Sequence, residues 1–217
     1  MNSEGIGMEN TLKTGTTTLA MRCADGIVVA ADRRATAGTL IVNKGVTKIQ
    51  PIAERIIVTM AGTVSDAQLL IKLTQATLRL NKVRIGKEAS VKEAANLLAG
   101  MVYSNIRKMS MIPGIAHFII SGTDDLGFHI FDCYPDGSLT ECDDYLTSGS
   151  GSVMVLGVLE TLYKKEMKVE EGIKIAVKSM NAALQRDCAS GSGFDIMAIT
   201  KDGIKKVYEK DLTGRIE

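Results

Sequence analysis

The chain has 217 residues, 45% of them hydrophobic and 24% charged, with a net charge of +1, which suits one or two ordinary globular domains with a proper core. Near-neutral charge removes a bulk electrostatic case for nucleic acid or an anionic membrane, and the lack of Trp removes the stacking surface of single-strand binders. No apolar run approaches the ~18 residues that cross a bilayer, and four scattered cysteines without a CxxC pair point to reduced thiols and a cytoplasmic setting, not to a disulfide framework or a metal site.

Residues 1–15, MNSEGIGMENTLKTG, are polar, with neither a basic start nor an apolar stretch, so they do not read as a secretory signal. The next stretch, Gly15-Thr16-Thr17-Thr18, admits two readings. Thr is β-branched and suits a strand. A Thr exposed at the start of a shortened chain would instead carry a hydroxyl nucleophile and an amine base on one residue. β-type runs follow at 16–23, 26–31, 55–61, 116–121, 127–133, 194–200 and 203–208. Asp-Gly pairs at 25–26, 136–137 and 202–203 predict antiparallel hairpins between them.

Four helices sit between the strand groups. The first opens on the capping-box pattern Ser65-x-x-Gln68 and runs to about Val83. It carries two apolar stripes: Ala67, Leu70, Ile71 and Leu78, and beside them Leu69, Leu73, Ala76 and Leu80. Such a helix is buried on two sides, either wholly within the core or between a sheet and a neighbouring subunit. The second repeats the cap with Ser90-x-x-Glu93, the third covers about 151–163, and the fourth about 169–187. Strands, two helices, strands, two helices, strands is the order of a single-domain α+β fold. Two antiparallel sheets packed face to face with a helix pair outside each, a four-layer αββα sandwich, satisfy it.

Among polar positions, His117 and His129 fall within strand runs and read as packed or surface residues. No GxSxG elbow, Walker A or strand-following GxGxxG is present. The run Ser148–Ser152 (SGSGS) precedes a helix and reads as a flexible cap or, less simply, as an anion cradle. Asp32-Arg33-Arg34 ends a strand, where charge is usually solvated, and Lys48 follows the pattern of an exposed lysine. Gly62 closes an apolar strand as a turn or as an N–H donor to a ligand. Gln185-Arg186-Asp187-Cys188-Ala189-Ser190-Gly191 ends the fourth helix with more polar groups than a C-cap requires.

Taken together and in this order, Gly15-Thr16-Thr17-Thr18, Asp32-Arg33-Arg34, Lys48, Ala61-Gly62, Asp66-Ala67-Gln68, Gly149-Ser150-Gly151-Ser152 and Gln185-Arg186-Asp187 with Ser190-Gly191 resemble the proteasome β-subunit family, in its archaeal form, over residues 16–210. The resemblance implies the N-terminal-nucleophile αββα fold, a propeptide over 1–15 cut between Gly15 and Thr16, and a peptidase domain over 16–217. Thr16 is then nucleophile and amine, Lys48 lowers the hydroxyl pKa, Asp32 orients Lys48, and the Gly62 N–H stabilises the oxyanion. Ser150, Asp187 and Ser190 hold the amine and a water, and Ala35, Val46, Met60 and Val64 line an apolar substrate pocket. An α-amino group titrates near 8, so it accepts the Thr proton at neutral pH where an ordinary lysine does not. The family implies stacked heptameric β-rings, α-subunit rings, an ATP-dependent unfoldase, polypeptide substrates, and no cofactor, nucleic acid or membrane. Two rivals are a ring-building subunit without activity, which would not need Thr16, Asp32 and Lys48 together, and the hexameric bacterial threonine peptidase. Residues 32–36 (DRRAT), residues 185–191 (QRDCASG) and the length after Gly15 do not suit the latter.

Overall fold

The computed structural model describes residues 15–110 and 114–212, so nearly all of the propeptide expected over 1–15 lies outside the described residues. The first Asp-Gly pair does turn the chain: β1 (Thr18–Cys23) and β2 (Gly26–Asp32) pair antiparallel with Cys23 opposite Gly26. They form one five-stranded sheet with β10 (Tyr145–Ser148), β11 (Gly193–Thr200) and β12 (Gly203–Asp211), in the order β10-β1-β2-β11-β12. A second sheet runs β5 (Ile49–Ala53), β6 (Ile56–Gly62), β7 (Ala116–Asp124), β8 (Gly127–Cys133), β9 (Leu139–Cys142), each strand antiparallel to its neighbour. β3 (Ala35–Ala37) and β4 (Leu40–Asn43) make a separate hairpin.

Because side chains alternate along a strand, each sheet offers an apolar face on both sides. Ala20, Ile27, Val29 and Ala31 of the first sheet meet Ile49, Ile57, Ile119 and Ile130 of the second to form the core between the sheets. The opposite face of the first sheet, with Leu19, Met21, Val28 and Ala30, is covered by α3 (Ser152–Leu162) and α4 (Val169–Arg186) through Val155, Leu159, Ala176 and Met180. The outer face of the second, with Val58, Met60, Phe118 and Ile120, is covered by α1 (Val64–Ile85) and α2 (Val91–Ile106) through Leu70, Ile71, Leu98 and Val102. This is the αββα sandwich. Each fully buried Ile or Leu contributes roughly 1.5–3 kcal/mol by leaving water, so the double layer makes a stiff platform.

The two halves use the same device to seat their helices. Asp25, in the β1–β2 turn, accepts the α4 Val169 N–H at 2.8 Å, and Asp124, entering the β7–β8 turn, accepts the α2 Val91 N–H at 2.9 Å. Both satisfy N–H groups that a helix start leaves unpaired. The capping box at Ser90 and Glu93 forms as its sequence predicts. The one predicted at Ser65 does not: α1 begins at Val64 with Thr63 as N-cap, no side chain caps it, and the Ser65 hydroxyl bonds Asp66 instead. Of the two stripes on α1, Ala67, Leu70, Ile71 and Leu78 are buried, while Leu69, Leu73 and Leu80 are exposed on the single chain. The short strands β3, β4, β5, β9 and β10 lie beyond the predicted runs, since three to five residues carry little periodic signal and β5 contains Pro51. β1 also begins two residues later than its run, leaving Thr16 and Thr17 outside the strand.

Candidate active site

Thr16 enters the first sheet at the end where β2 finishes, and the loops following β2, β10 and α4 close around it. The chain is continuous through Gly15, and the Thr16 hydroxyl donates to the Gly15 carbonyl oxygen at 2.7 Å. Lys48, just before β5, reaches the same point: its Nζ donates to Thr16 Oγ1 at 3.0 Å, to Gly15 O at 3.2 Å and to Asp32 Oδ1 at 2.7 Å. Three donors with three acceptors is the full complement of an ammonium. The exposed lysine that the local pattern suggests is therefore wrong; Lys48 is 4% exposed. Burial pushes its ammonium below the usual lysine range, and the neighbouring Asp32 carboxylate opposes that shift without offsetting it.

Asp32 is not a solvated strand end either. Its Oδ1 accepts the Thr17 N–H at 2.9 Å besides Lys48, and its Oδ2 accepts the N–H groups of Arg34 and Gly191, each at 3.0 Å. A carboxylate with four donors is fixed in place and fixes Lys48 in turn. Arg33 braces the same corner by bonding Asp195 and Glu209, and Arg34 Nη1 donates to the Cys188 carbonyl at 2.9 Å. A Cβ at Gly191 would run into the Arg34 guanidinium, so a larger residue there would have to displace that side chain.

On the other flank, Asp187 Oδ2 accepts the hydroxyls of both Ser150 and Ser190 at 2.6 Å. Ser150 Oγ receives the Thr16 N–H at 3.4 Å, and Ser190 Oγ shares a hydrogen bond of 2.7 Å with Thr17 Oγ1. The glycine-rich run does cap α3, with Gly151 as its N-cap, and it also closes on the start of the first sheet. A Cβ at Gly149 would overlap the Thr16 carbonyl oxygen, one at Gly151 would overlap Thr17 Oγ1, and Gly151 N–H donates to Thr16 O at 3.3 Å. Its glycines let backbone close directly onto Thr16 and Thr17.

Gly62 ends β6 with φ +103°, where a Cβ would overlap the Ile115 carbonyl, so glycine is required by the backbone. With Gly15 joined to Thr16, the donors placed on Gly15 O are Lys48 Nζ and the Thr16 hydroxyl, and the Gly62 N–H is not one of them. Met60 lies in the helix-covered core with Val46 packed against it, Ala35 is buried at the start of β3, and Val64 is half-buried. His117 bonds Asp132 and stacks on Tyr134, and His129 is held by Glu141 and Asp124, so both histidines belong to the second sheet and neither touches Thr16. Among the described residues no three His, Cys, Asp or Glu side chains group to hold a metal ion, and no helix among them is long and apolar enough to cross a membrane. Sequence reading gave no role in the site to Thr17, Thr36, Gly149 or Gly151, which the structure brings against Thr16 or its neighbours.

The arrangement presents a hydroxyl beside a carbonyl, a buried ammonium bridging the two, and a polar cluster around the Thr16 nitrogen. It suits attack of the Thr16 hydroxyl on an acyl carbon. The model of the proteasome subunit family matches residues 12–199. A proteasome subunit beta of Methanocaldococcus vulcanius is 38% identical over 200 residues, covering 92% of this chain and 88% of its own. Proteasome subunit beta 2 of Pyrococcus abyssi is 39% identical over 91% of this chain and 93% of its own, and the proteasome subunit beta of Methanothermobacter thermautotrophicus is 37% identical over 96% and 97%. A likeness of this extent, on an αββα sandwich whose layers the element order predicts independently, makes this chain a member of the proteasome subunit family.

Proposed function

We propose that the chain is a self-processing threonine endopeptidase, the β-subunit of a 20S proteasome core that degrades unfolded polypeptides within stacked heptameric rings. In that assembly it stands between α-subunit rings, with an ATP-dependent unfoldase feeding it in the cytoplasm. The relatives are named as proteasome β-subunits, which supports a protease in such a core. The observation that carries the threonine chemistry is the contact of the Thr16 hydroxyl with both the Gly15 carbonyl and Lys48 Nζ.

Self-cleavage balances as follows. Thr16 Oγ bonds to the Gly15 carbonyl carbon as its proton leaves; the Gly15–Thr16 C–N bond breaks and the nitrogen takes a proton, leaving a Gly15 ester on the Thr16 oxygen. Water hydrolyses that ester, returning the hydroxyl and freeing a Gly15 carboxylate. Residues 1–15 are thereby the propeptide and 16–217 the working domain. Before cleavage the Thr16 nitrogen is an amide whose lone pair is delocalised, so it cannot serve as base and this form is inactive. Afterwards it is an amine titrating near 8, which takes the hydroxyl proton in each turnover. Lys48 stabilises the developing oxyanion charge and lowers the hydroxyl pKa, with Asp32 orienting it. Ser150, Asp187 and Ser190 hold the new amine, and the Gly62 N–H serves the substrate oxyanion once the leader has gone. Ala35, Val46, Met60 and Val64 accept an apolar side chain on the N-terminal side of the cut bond.

Intact mass of the purified, assembled protein tests this directly. Loss of residues 1–15 with Thr16 as the new N-terminus is expected in full particles, and Thr16 exposed in free monomers would contradict processing on assembly. An assembled particle that keeps residue 15 and still hydrolyses peptides would overturn the mechanism.

A further inference from the structure

Gly15 has contacts that the nucleophile and its bridging lysine do not account for. Its N–H donates to Thr36 Oγ1 at 3.0 Å, and Thr36 is buried on β3. Its α-carbon faces Ala189: a Cβ built on Gly15 would overlap Ala189 Cβ and stand 2.6 Å from both the Cα and the carbonyl oxygen of Ala189. Those are main-chain atoms on a segment pinned on either side. The Ala189 N–H is bonded to Asp187 Oδ1 at 3.1 Å, the Ser190 N–H to Asp187 O at 3.3 Å, and Cys188 O to Arg34 at 2.9 Å. The wall cannot retreat without disturbing Asp187, which also holds Ser150 and Ser190.

A glycine would leave an apolar substrate pocket empty, yet here the residue before the bond is tightly held. Its hold comes from elsewhere: one hydroxyl for its N–H, one ammonium for its carbonyl, and a wall where a side chain would start. We propose that Ala189 and the Thr36 hydroxyl form a seat for the residue preceding the self-cleaved bond, selecting glycine by the Ala189 wall and setting its register through Thr36. Resting on the self-processing function above, the seat adds two positioning residues and gives the leader a specificity separate from that of substrates. Neither residue touches the reacting oxygen; each acts by placing the Gly15 carbonyl beside Thr16 Oγ1.

The test follows leader removal by intact mass over time in full-length chains, in particles shown to be assembled by sedimentation. Gly15→Ala is expected to process at least tenfold more slowly than the unaltered chain. Adding Ala189→Gly to it is expected to recover at least threefold, though not fully, since the 189 main chain remains. Ala189→Val with Gly15 kept is expected to slow processing about tenfold. Thr36→Val is expected to slow it several-fold, whereas Thr36→Ser, which keeps the acceptor, restores it. Normal processing of Gly15→Ala, no recovery from Ala189→Gly, or equal rates for Thr36→Val and Thr36→Ser would overturn the seat while leaving self-processing intact. An unaltered chain that is never cut at Gly15–Thr16 would instead refute self-processing itself.

Discussion

Removing the Lys48 charge separates the catalytic role proposed for it from its structural part. The Nζ lies 3.0 Å from Thr16 Oγ1. At an effective dielectric near 20 a unit charge at that distance is worth about 5.5 kcal/mol to a full negative charge on the oxygen, and about half that to a half-developed one. Lys48→Ala should therefore lower peptide turnover by about 10²–10⁴-fold at roughly 1.4 kcal/mol per decade. It also strands Asp32, whose side chain is fully buried. Breaking a buried pair costs about 3–5 kcal/mol, and the three backbone N–H donors that Asp32 keeps place this case at about 3. For a domain of this size that lowers Tm by roughly 6–12 °C. Adding Asp32→Asn should restore neither the Tm nor the turnover, because the Thr17 N–H faces one carboxylate oxygen and the Arg34 and Gly191 N–H groups face the other, so either orientation of the amide sets its NH2 against a backbone donor. The assay is the initial rate on a fluorogenic peptide with an apolar residue before the cut, using chains begun at Thr16 so that leader removal does not limit the rate. Thermal unfolding of the same samples supplies the stability half. A loss of turnover under tenfold would refute the electrostatic role.

Thr16→Ala should abolish leader removal and peptide hydrolysis together, because one hydroxyl serves both, while Thr16→Ser should keep both; mass and peptidase measurements on the two variants decide it. Peptide turnover should rise with pH as the Thr16 amine loses its proton near 8, then fall at a pH below the ordinary lysine value of 10.5 as Lys48, held low by burial, gives up its charge. A pH–rate profile that is still rising at 10.5 would contradict that descending limb. Peptides with Leu before the cut bond should outpace those with Arg or Glu, since a charge among Ala35, Val46, Met60 and Val64 would be desolvated without a partner; competition between the three peptides reads the order.

The layer plan was legible in one dimension because it depends on short-range periodicity. Runs such as 26–31 and 116–121 and helices of 11–22 residues repeat often enough for pattern to identify them, and two helix pairs need two sheet faces to cover. Sequence by itself also named the candidate side chains around Thr16, Asp32, Lys48 and Asp187, through the resemblance their combined motifs carry. It did not determine their state. Val46, Lys48 and Ile49 look like a lysine between apolar neighbours on any surface strand, and only the closing of β2, β5 and the 187–191 segment on one another removes Lys48 from water and supplies Asp32. The same holds for Ser148–Ser152, whose glycines acquire meaning when Thr16 and Thr17 occupy the space their Cβ atoms would need. Contacts spanning 134 residues, as between Thr16 and Ser150, leave no local trace in the chain. Burial, charge state and close backbone approach are properties of what surrounds a residue, and that surrounding exists only once distant segments have packed together.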